Sequence, residues 1–484
     1  MLTCALNLLF NLNTGVIVEF IEFGYGTSTD ENSLKAGAHA ASDALKMMKK
    51  YSEKPNIVFL YSSPDYDPEE VLNGVKLILR NSVQIVGGSS KFQICGNKFL
   101  ENGVSVGILG SKYFNTGMGV GLGISINPKE SGKKAVKDAV ENLGMLPKLL
   151  YVITDFCKCE EQVLKGIIEE LGVTIPIFGG VSSDDFEFEH IYQYGNDVYL
   201  DSIVCVAFGG DIVPKISYNN YEYGENSGKL ENIITKSEKR SIEEIGNISA
   251  VKRYIEISGY KGTVTELEKD PEFYLSHPLG ILDTTGDIHL KGPISIKNKK
   301  LITGSNISNS NELKIENIDK NAIKNIFETN TSVLNNTQPH YEPALTFCNI
   351  SSFLSEINPD EIEKLIEKSD INPFFGSSTF GEISLKKYGN YSMSMCSFAP
   401  DLVTISAKEG IHMFTKHPAT KETLIKIHDL GGSVKVEELA KSLGIHRRSA
   451  YDRIDPLLKY GFIEKDQAVI NITEFGKLLL KFEF

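Results

Sequence analysis

Short apolar runs alternate along the chain with longer segments whose apolar residues recur at every third and fourth position, and the two kinds follow one another in a repeating order. Val16 to Phe23 is β-branched and aromatic and reads as a strand closing on a turn at Gly24 to Ser28. Ser33 opens a helix to about Tyr51, in which Ala36, Ala40, Ala44, Leu45 and Met48 make one apolar face, the alanines permitting close approach to a sheet. Asn56 to Tyr61 reads as a buried strand and Pro68 to Leu79 as a helix with proline in its first turn. Val83 to Val86 then runs into Gly87-Gly88-Ser89-Ser90, and Gly103 to Leu109 closes the unit as a strand.

The same order begins again roughly ninety residues on. Val120 to Ile126 reads as a strand, Lys129 to Leu143 as a helix, and Leu149 to Thr154 as a strand ending at Asp155. Glu160 to Leu171 is a helix, Ile175 to Phe178 a strand entering Gly179-Gly180, and Ile203 to Phe208 the closing strand. A third round places strands at Leu313 to Ile315, Ala344 to Phe347 and Pro373 to Phe375, helices at Lys320 to Asn330 and Asp360 to Lys368, and a last strand at Tyr391 to Phe398. The predicted class is mixed α/β (α+β). Two repeats occupy 15–112 and 113–212, and a further domain at 213–411 carries a β-rich insert at 213–310.

Residues 412–484 follow a different pattern. Leu424, Ile425, Ile427 and His428 mark a helix stopped by Gly431-Gly432; Val436 to Leu443 is a second, and a third begins near His446. Two strands, Gly461 to Glu464 and Ile470 to Ile472, complete the spacing of a winged helix-turn-helix. With Ala450, Ile454 and Leu457 inward, the third helix presents His446, Arg447, Arg448 and Tyr451, flanked by Arg453 and the wing's Lys465, as the DNA-reading set. A winged helix that serves only as a dimer or protein-contact module is the alternative. Pro456 predicts a kinked or shortened helix.

Composition narrows the partners. The 484 residues allow two or three domains. A formal net charge of -13 makes the bulk of the surface repel nucleic acid and acidic membranes, so DNA contact is confined to the tail, which is near charge balance. Seven scattered cysteines point to a reducing cytoplasm. The apolar stretch Cys4 to Leu12, within a leader at 1–14, lacks a basic start and is too short to span a bilayer. No membrane partner is expected.

Strand ends in α/β sheets gather ligand-binding groups. The second unit offers Asp155, Gly179, Gly180, Ser182, Ser183, Asp184 and Asp185, and the third Asn349, Ser377, Ser378, Thr379 and Glu382. Paired carboxylates beside hydroxyls suit the ammonium of an amino acid; the plainer alternative is that glycines and hydroxyls serve the turns themselves. The first unit has no acid after its serines and is read as structural. No nucleophile elbow, Walker loop or zinc-spaced cluster is present, so binding rather than catalysis is expected, with an enzyme using Asp155, Asp184 or Glu382 as the alternative. Gly117 to Gly123 precedes a strand instead of following one, which removes the mechanism of a phosphate loop. Cys157 and Cys159 are spaced too closely for a metal clip, and His190, His277 and His340 are candidate haem or metal ligands only one by one.

Phe178-Gly179-Gly180-Val181-Ser182-Ser183-Asp184, His277-Pro278-Leu279-Gly280-Ile281, Leu290-Lys291-Gly292-Pro293 and Phe380-Gly381-Glu382-Ile383 together resemble the paired FIST N and FIST C sensory domains. The resemblance covers about Phe23 to Ile383 and implies a cytoplasmic signal-transduction module that takes a small ligand, amino acids being the usual proposal and haem a reported one in some relatives. No cofactor is otherwise expected. Joined to a winged helix, such a module implies a one-component transcriptional regulator acting as a homodimer on DNA.

Overall fold

The computed structural model describes residues 21–48, 54–80, 83–157, 159–172, 174–220, 232–282, 288–304, 306–307, 309–315, 318, 321–335, 343–352, 359–369, 371, 373–385, 387–401, 404–405, 408, 412–414 and 416–480. The leader at 1–14 and His340 lie outside them. Two compact units are present: one holds residues 21–336 and 343–398, the other the described residues from 399 onward.

The larger unit is mixed α/β and contains three copies of one plan. Each copy has a leading strand (Glu22–Ser28, Phe114–Leu122, Ile212–Asn220), a first helix (Ser33–Met48, Pro128–Leu143, Asn321–Asn335) and a middle strand (Pro55–Ser62, Leu149–Thr154, Leu345–Ser351). A second helix (Pro68–Leu79, Glu160–Leu171, Pro359–Glu367) leads to a turn strand (Gln84–Ser89, Ile177–Val181, Phe374–Thr379) and a closing strand (Val104–Gly110, Ser202–Gly210, Ser392–Pro400). Middle and turn strands pair in parallel; the closing strand runs antiparallel to the middle one.

Between turn strand and closing strand each copy inserts a hairpin that the sequence pattern did not signal, and the hairpin leaves its own sheet. The second copy's hairpin (Gln193–Tyr194, Val198–Tyr199) extends the first copy's sheet, the third's (Gly381–Ser384, Lys387–Gly389) the second's, and the first's (Gln93–Gly96, Lys98–Leu100) the third's. The register is matched: Gln193 stands opposite Gly88, Glu382 opposite Gly180, and Gln93 opposite Ser377. The exchange is cyclic, so the three repeats close on one another. Their inner faces share a core in which Phe59, Tyr151 and Phe347, one from each middle strand, are packed ring to ring.

Two leading strands differ from their sequence reading for one reason. Gly24 and Gly26 lie within a strand, not a turn, because a Cβ at either would stand 2.3 Å from a carbonyl oxygen of the first helix, Ala44 or Ala40. Gly117, Gly119 and Gly121 sit likewise inside Phe114–Leu122, each within 2.2 Å of a carbonyl oxygen (Ala139, Ala135, Ser131) if a Cβ were added. The alternating glycines are grooves for a helix lying against the sheet.

The third copy also begins earlier than its periodicity suggests. Its leading strand is Ile212–Asn220, next to Ser392–Pro400, and Asn219 Nδ2 donates to Asn330 Oδ1 of the first helix at 3.1 Å. Glu312–Ile315, read from sequence as that strand, belongs to the insert, where it lies between Leu279–Leu282 and Asn232–Glu238 in an eight-stranded sheet. A long insertion between strand and helix hid the true start.

In the smaller unit, helices Pro418–Asp429, Val436–Ser442 and Arg447–Lys459 enclose Leu424, Ile427, Leu439, Ala440, Ala450, Ile454 and Leu457. A three-stranded sheet (Ser433–Lys435, Val469–Ile472, Ile463–Asp466, in spatial order) and helix Glu474–Leu480 complete it. The third helix runs past Pro456 to Lys459 instead of stopping there.

Candidate functional site

The turn strands reach the centre of the ring through glycine. A Cβ at Gly87, Gly179 or Gly376 would lie 1.7, 1.8 or 1.9 Å from the carbonyl oxygen of Leu60, Val152 or Cys348 on the neighbouring middle strand. Only glycine permits that approach, so these residues, Gly179 among the candidates, serve the fold. Gly88 and Gly180 make room for the next copy: a Cβ there would meet Ser182 Oγ at 2.3 Å and Thr379 Cγ2 at 2.7 Å.

Just beyond, three serines from three copies meet. Ser90 Oγ and Ser183 Oγ each donate to the carbonyl oxygen of Ser378 at 3.0 Å, and their hydroxyls lie 3.2 and 3.3 Å from Ser378 Oγ. The Phe92 amide donates to Ser378 Oγ at 2.9 Å. All three serines are buried. Ser90, from the turn read as structural, is thus hydrogen-bonded to Ser378 together with Ser183.

Around this point the exchanged hairpins place one carboxamide or carboxyl each. Gln193 Nε2 donates to Ser182 Oγ at 3.3 Å, and Ser202 Oγ donates to Gln193 Oε1 at 2.6 Å. Glu382 accepts from Thr379 Oγ1 at 2.7 Å and from Ser392 Oγ. Gln93 Nε2 donates to the Ser90 carbonyl at 2.6 Å and to Ser63 Oγ at 3.3 Å. Burial pushes the Glu382 carboxyl up to about 8, against the opposing pull of the Ser392 and Thr379 hydroxyls. The shift favours the protonated form, at the position where the other two copies carry glutamine. Spacing could have found this: glutamine in the first copy and glutamate in the third both follow the strand glycine by the same interval, Gly87 to Gln93 and Gly376 to Glu382.

On the inner face beside Ser377, the Tyr61 hydroxyl meets that of Tyr151 and is hydrogen-bonded to Ser377. Burial drives Tyr61 up to about 12 and Tyr151 well above its ordinary value. Asn349 pairs in register with Ser377 on one side and Ser394 on the other, and Tyr61 with Ser105. Both polar atoms of the Asn349 amide, the hydroxyls of Ser105 and Ser394, and Gln93 Oε1 are buried without a partner among the described residues. Buried polar groups are nearly always satisfied, so these atoms leave hydrogen-bonding capacity for a polar molecule, water included. Tyr61, Tyr151, Ser105 and Ser394 escaped the sequence reading because each sits inside an apolar strand.

The acids are each engaged within the fold. Asp184 is buried and accepts from the amides of Phe188, Glu189 and His190 at 3.1, 2.9 and 3.2 Å, which fixes the loop behind Ser183. Asp185 is exposed and pairs with Lys91 at 3.1 Å. Asp155 accepts from its neighbour Phe156 at 2.6 Å and from the Asp201 amide at 2.8 Å, and burial raises its pKa. His277 is stacked on Phe273 at 3.9 Å and its Nδ1 lies 2.8 Å from the Phe273 carbonyl oxygen. Among the described residues no group of three or more His, Cys, Asp or Glu side chains is arranged to hold a metal.

In the smaller unit, His446 caps the third helix, its Nδ1 accepting from the Arg448 amide at 3.3 Å. Arg447 pairs with Glu437 at 2.8 Å and Arg453 with Glu422 at 3.0 Å. Lys465 lies over the Tyr451 ring at 4.8 Å. The Arg448 side chain is exposed and has no hydrogen bond or ion pair among the described residues.

No helix among the described residues is long and apolar enough to cross a membrane. The uncharacterized protein MJ1623 of Methanocaldococcus jannaschii is 30% identical over 167 residues, which cover 32% of this chain and 32% of that relative, so the chain spans about a third of its length. Among solved structures, cyanuric acid hydrolase from A. caulinodans aligns over 78% of this chain and 99% of its own at a TM-score of 0.33 and 6% identity. PurLQS from Thermotoga maritima aligns over 78% and 72% at a TM-score of 0.20 and 8% identity. The family model that matches is that of the FIST N domain, over residues 56–248 of the chain.

Proposed function

We propose that the three-repeat unit is the sensor of a one-component regulator and that residues 412–484 are a winged helix-turn-helix that delivers its output to DNA. In this reading residues 213–411 are the FIST C counterpart, the protein works in the cytoplasm as a homodimer, and it binds its ligand without turning it over. The observation that carries the sensor is the meeting of Ser90, Ser183 and Ser378, with the unpartnered amide of Asn349 in register with the neighbouring Ser377. Ligands of α/β sheets sit at the carboxyl ends of parallel strands, and here three such ends are joined. Most groups gathered there are hydroxyls and carboxamides, burial shifts Glu382 toward its protonated form, and the oxygens of Asp184 accept from backbone amides. They suit a small polar molecule held by hydrogen bonds more than an ammonium held by carboxylates. Lys465, Tyr451 and the open Arg448 support the DNA reading, with Arg447 and Arg453 held by surface ion pairs weak enough to exchange for phosphates.

A thermal-shift screen of the full chain against amino acids and uncharged polar metabolites, with product analysis of each hit, tests the sensor. Stabilisation without conversion is expected, and its disappearance in Asn349→Ala. A mobility shift of the gene's own upstream DNA at low salt tests the output. A hit that is consumed, or wild-type protein that shifts no such DNA, overturns the corresponding half.

A further inference from the structure

Cys157 and Cys159 lie between the middle strand and second helix of the second repeat, and the sensor makes no use of them. Their sulfurs are 2.8 Å apart, and Cys159 Sγ lies 3.6 Å from the Ile124 carbonyl oxygen. Both side chains are partly exposed, whereas Cys95, Cys205, Cys348 and Cys396 are buried. Cys159 is also the N-cap of the helix Glu160–Leu171, where free amides favour negative charge. The neighbouring Cys157 thiol, and to a lesser degree the Arg240 guanidinium, hold the Cys159 thiol below its ordinary value despite burial and the carboxylates of Glu160 and Asp201. The same interaction, with burial, drives Cys157 up. A thiolate-prone, accessible cysteine with a second thiol against it is the arrangement of a redox-responsive pair.

We propose that Cys157 and Cys159 are a modification site that hydroperoxides convert to a disulfide. The Cys159 thiolate attacks one oxygen of hydrogen peroxide; the O–O bond breaks and the departing hydroxide takes up the proton that the thiol had released, leaving water and a Cys159 sulfenic acid. Cys157 sulfur then attacks the sulfenic sulfur. The S–O bond breaks, hydroxide leaves and takes the Cys157 proton, and the S–S bond forms. Two thiols lose two electrons and one peroxide becomes two waters, so the step balances. A disulfide across one intervening residue closes a small strained ring, the readily reduced kind that serves a reversible signal. Phe156, adjacent to the pair, packs its ring 5.0 Å from Phe188 and 5.3 Å from Phe380, the residue following Thr379, so closure acts on a segment that touches the third repeat's turn.

The test treats the reduced full-length protein with hydrogen peroxide near stoichiometry, alkylates the remaining thiols and maps all seven cysteines by peptide mass spectrometry. The 157–159 peptide is expected to lose both alkylatable thiols and two hydrogens of mass, and to regain them with dithiothreitol. Cys157→Ser is expected to stop at a Cys159 sulfenic acid that dimedone traps, and Cys159→Ser to slow oxidation of this segment by about tenfold or more. Thermal melts of both variants confirm that they fold. The proposal is overturned if the pair stays alkylatable while other cysteines oxidise, or if Cys159→Ser reacts as fast as wild type.

Discussion

Glu382 accepts a hydrogen bond of 2.7 Å from Thr379 with both side chains fully buried, at the point where the matching hairpins carry Gln193 and Gln93. The fold thus uses an uncharged amide twice and a carboxyl once for the same task. Burial disfavours the charged carboxyl at this position, and that ties the ring's stability to pH.

Because burial raises the folded pKa of Glu382 from 4.5 to about 8, the folded state binds a proton that the unfolded chain has released. Its contribution is full below pH 4.5 and declines as pH rises, by about 1.4 kcal/mol per unit, until it is lost above about 8. Glu382→Gln should remove this slope, leaving the variant as stable as wild type near pH 5 and more stable near pH 8.5. Denaturant titrations at the two pH values measure it, and an equal stability difference at both would show that the carboxyl is not the titrating group.

Gly179 tests the close approach of turn and middle strands. Alanine there would place Cβ 1.8 Å from Val152 O, and the relief must come from backbone that also pairs with the third repeat's hairpin. Gly179→Ala should cost on the order of 4 kcal/mol or more, or prevent folding. Gly144, at φ 69° with nothing near its Cβ position, is the control: alanine should cost only about 1–2 kcal/mol. Soluble yield and chemical denaturation separate the two.

The three-repeat plan was legible because each helix carries a helical period and each buried strand an apolar run, and because Gly87, Gly179 and Gly376 punctuate the same place. The hairpin exchange was not legible. Gln193–Tyr194 and Val198–Tyr199 are two-residue strands whose partners lie in another copy, so neither length nor alternation announces them. Leading strands were misread where glycines face a helix, since Gly24 and Gly117 resemble turn residues until the helix above them is known. Within the site, serines and acids after the glycines drew attention by polarity, whereas Tyr61 and Ser105 looked like core. Polarity alone could not distinguish Asp184, whose carboxylate is spent on three amides, from an acid available to a ligand.

Asp184 therefore has a different expected phenotype from the one its place after Ser182-Ser183 suggests. Asp184→Ala leaves the amides of Phe188, Glu189 and His190 without their acceptor in a partly buried loop. A loss of about 1–3 kcal/mol of stability is expected, with ligand affinity falling only as the loop loosens. Asp184→Asn, which keeps one acceptor oxygen, should fall between. Hydrogen exchange of the three amides reads the effect directly; unchanged protection with abolished ligand binding would return Asp184 to the recognition set.

Arg448 and Arg447 allow the DNA reading to be tested by contrast. Arg448 is exposed and without a partner among the described residues, while Arg447 is held by Glu437 at 2.8 Å. If the third helix meets DNA, Arg448→Ala removes a charge that has no competing use, so binding should weaken. Were Arg448 bound to a phosphate, the variant would show a salt slope of log affinity lower by about one. Were it bound to a base edge, specificity would instead relax at one position by about 1–3 kcal/mol. Arg447→Ala should weaken binding less, because its carboxylate partner must be displaced before it can serve DNA. Titrations of the full chain at several salt concentrations distinguish these outcomes, and identical curves for wild type and the double variant would assign this face to something other than nucleic acid.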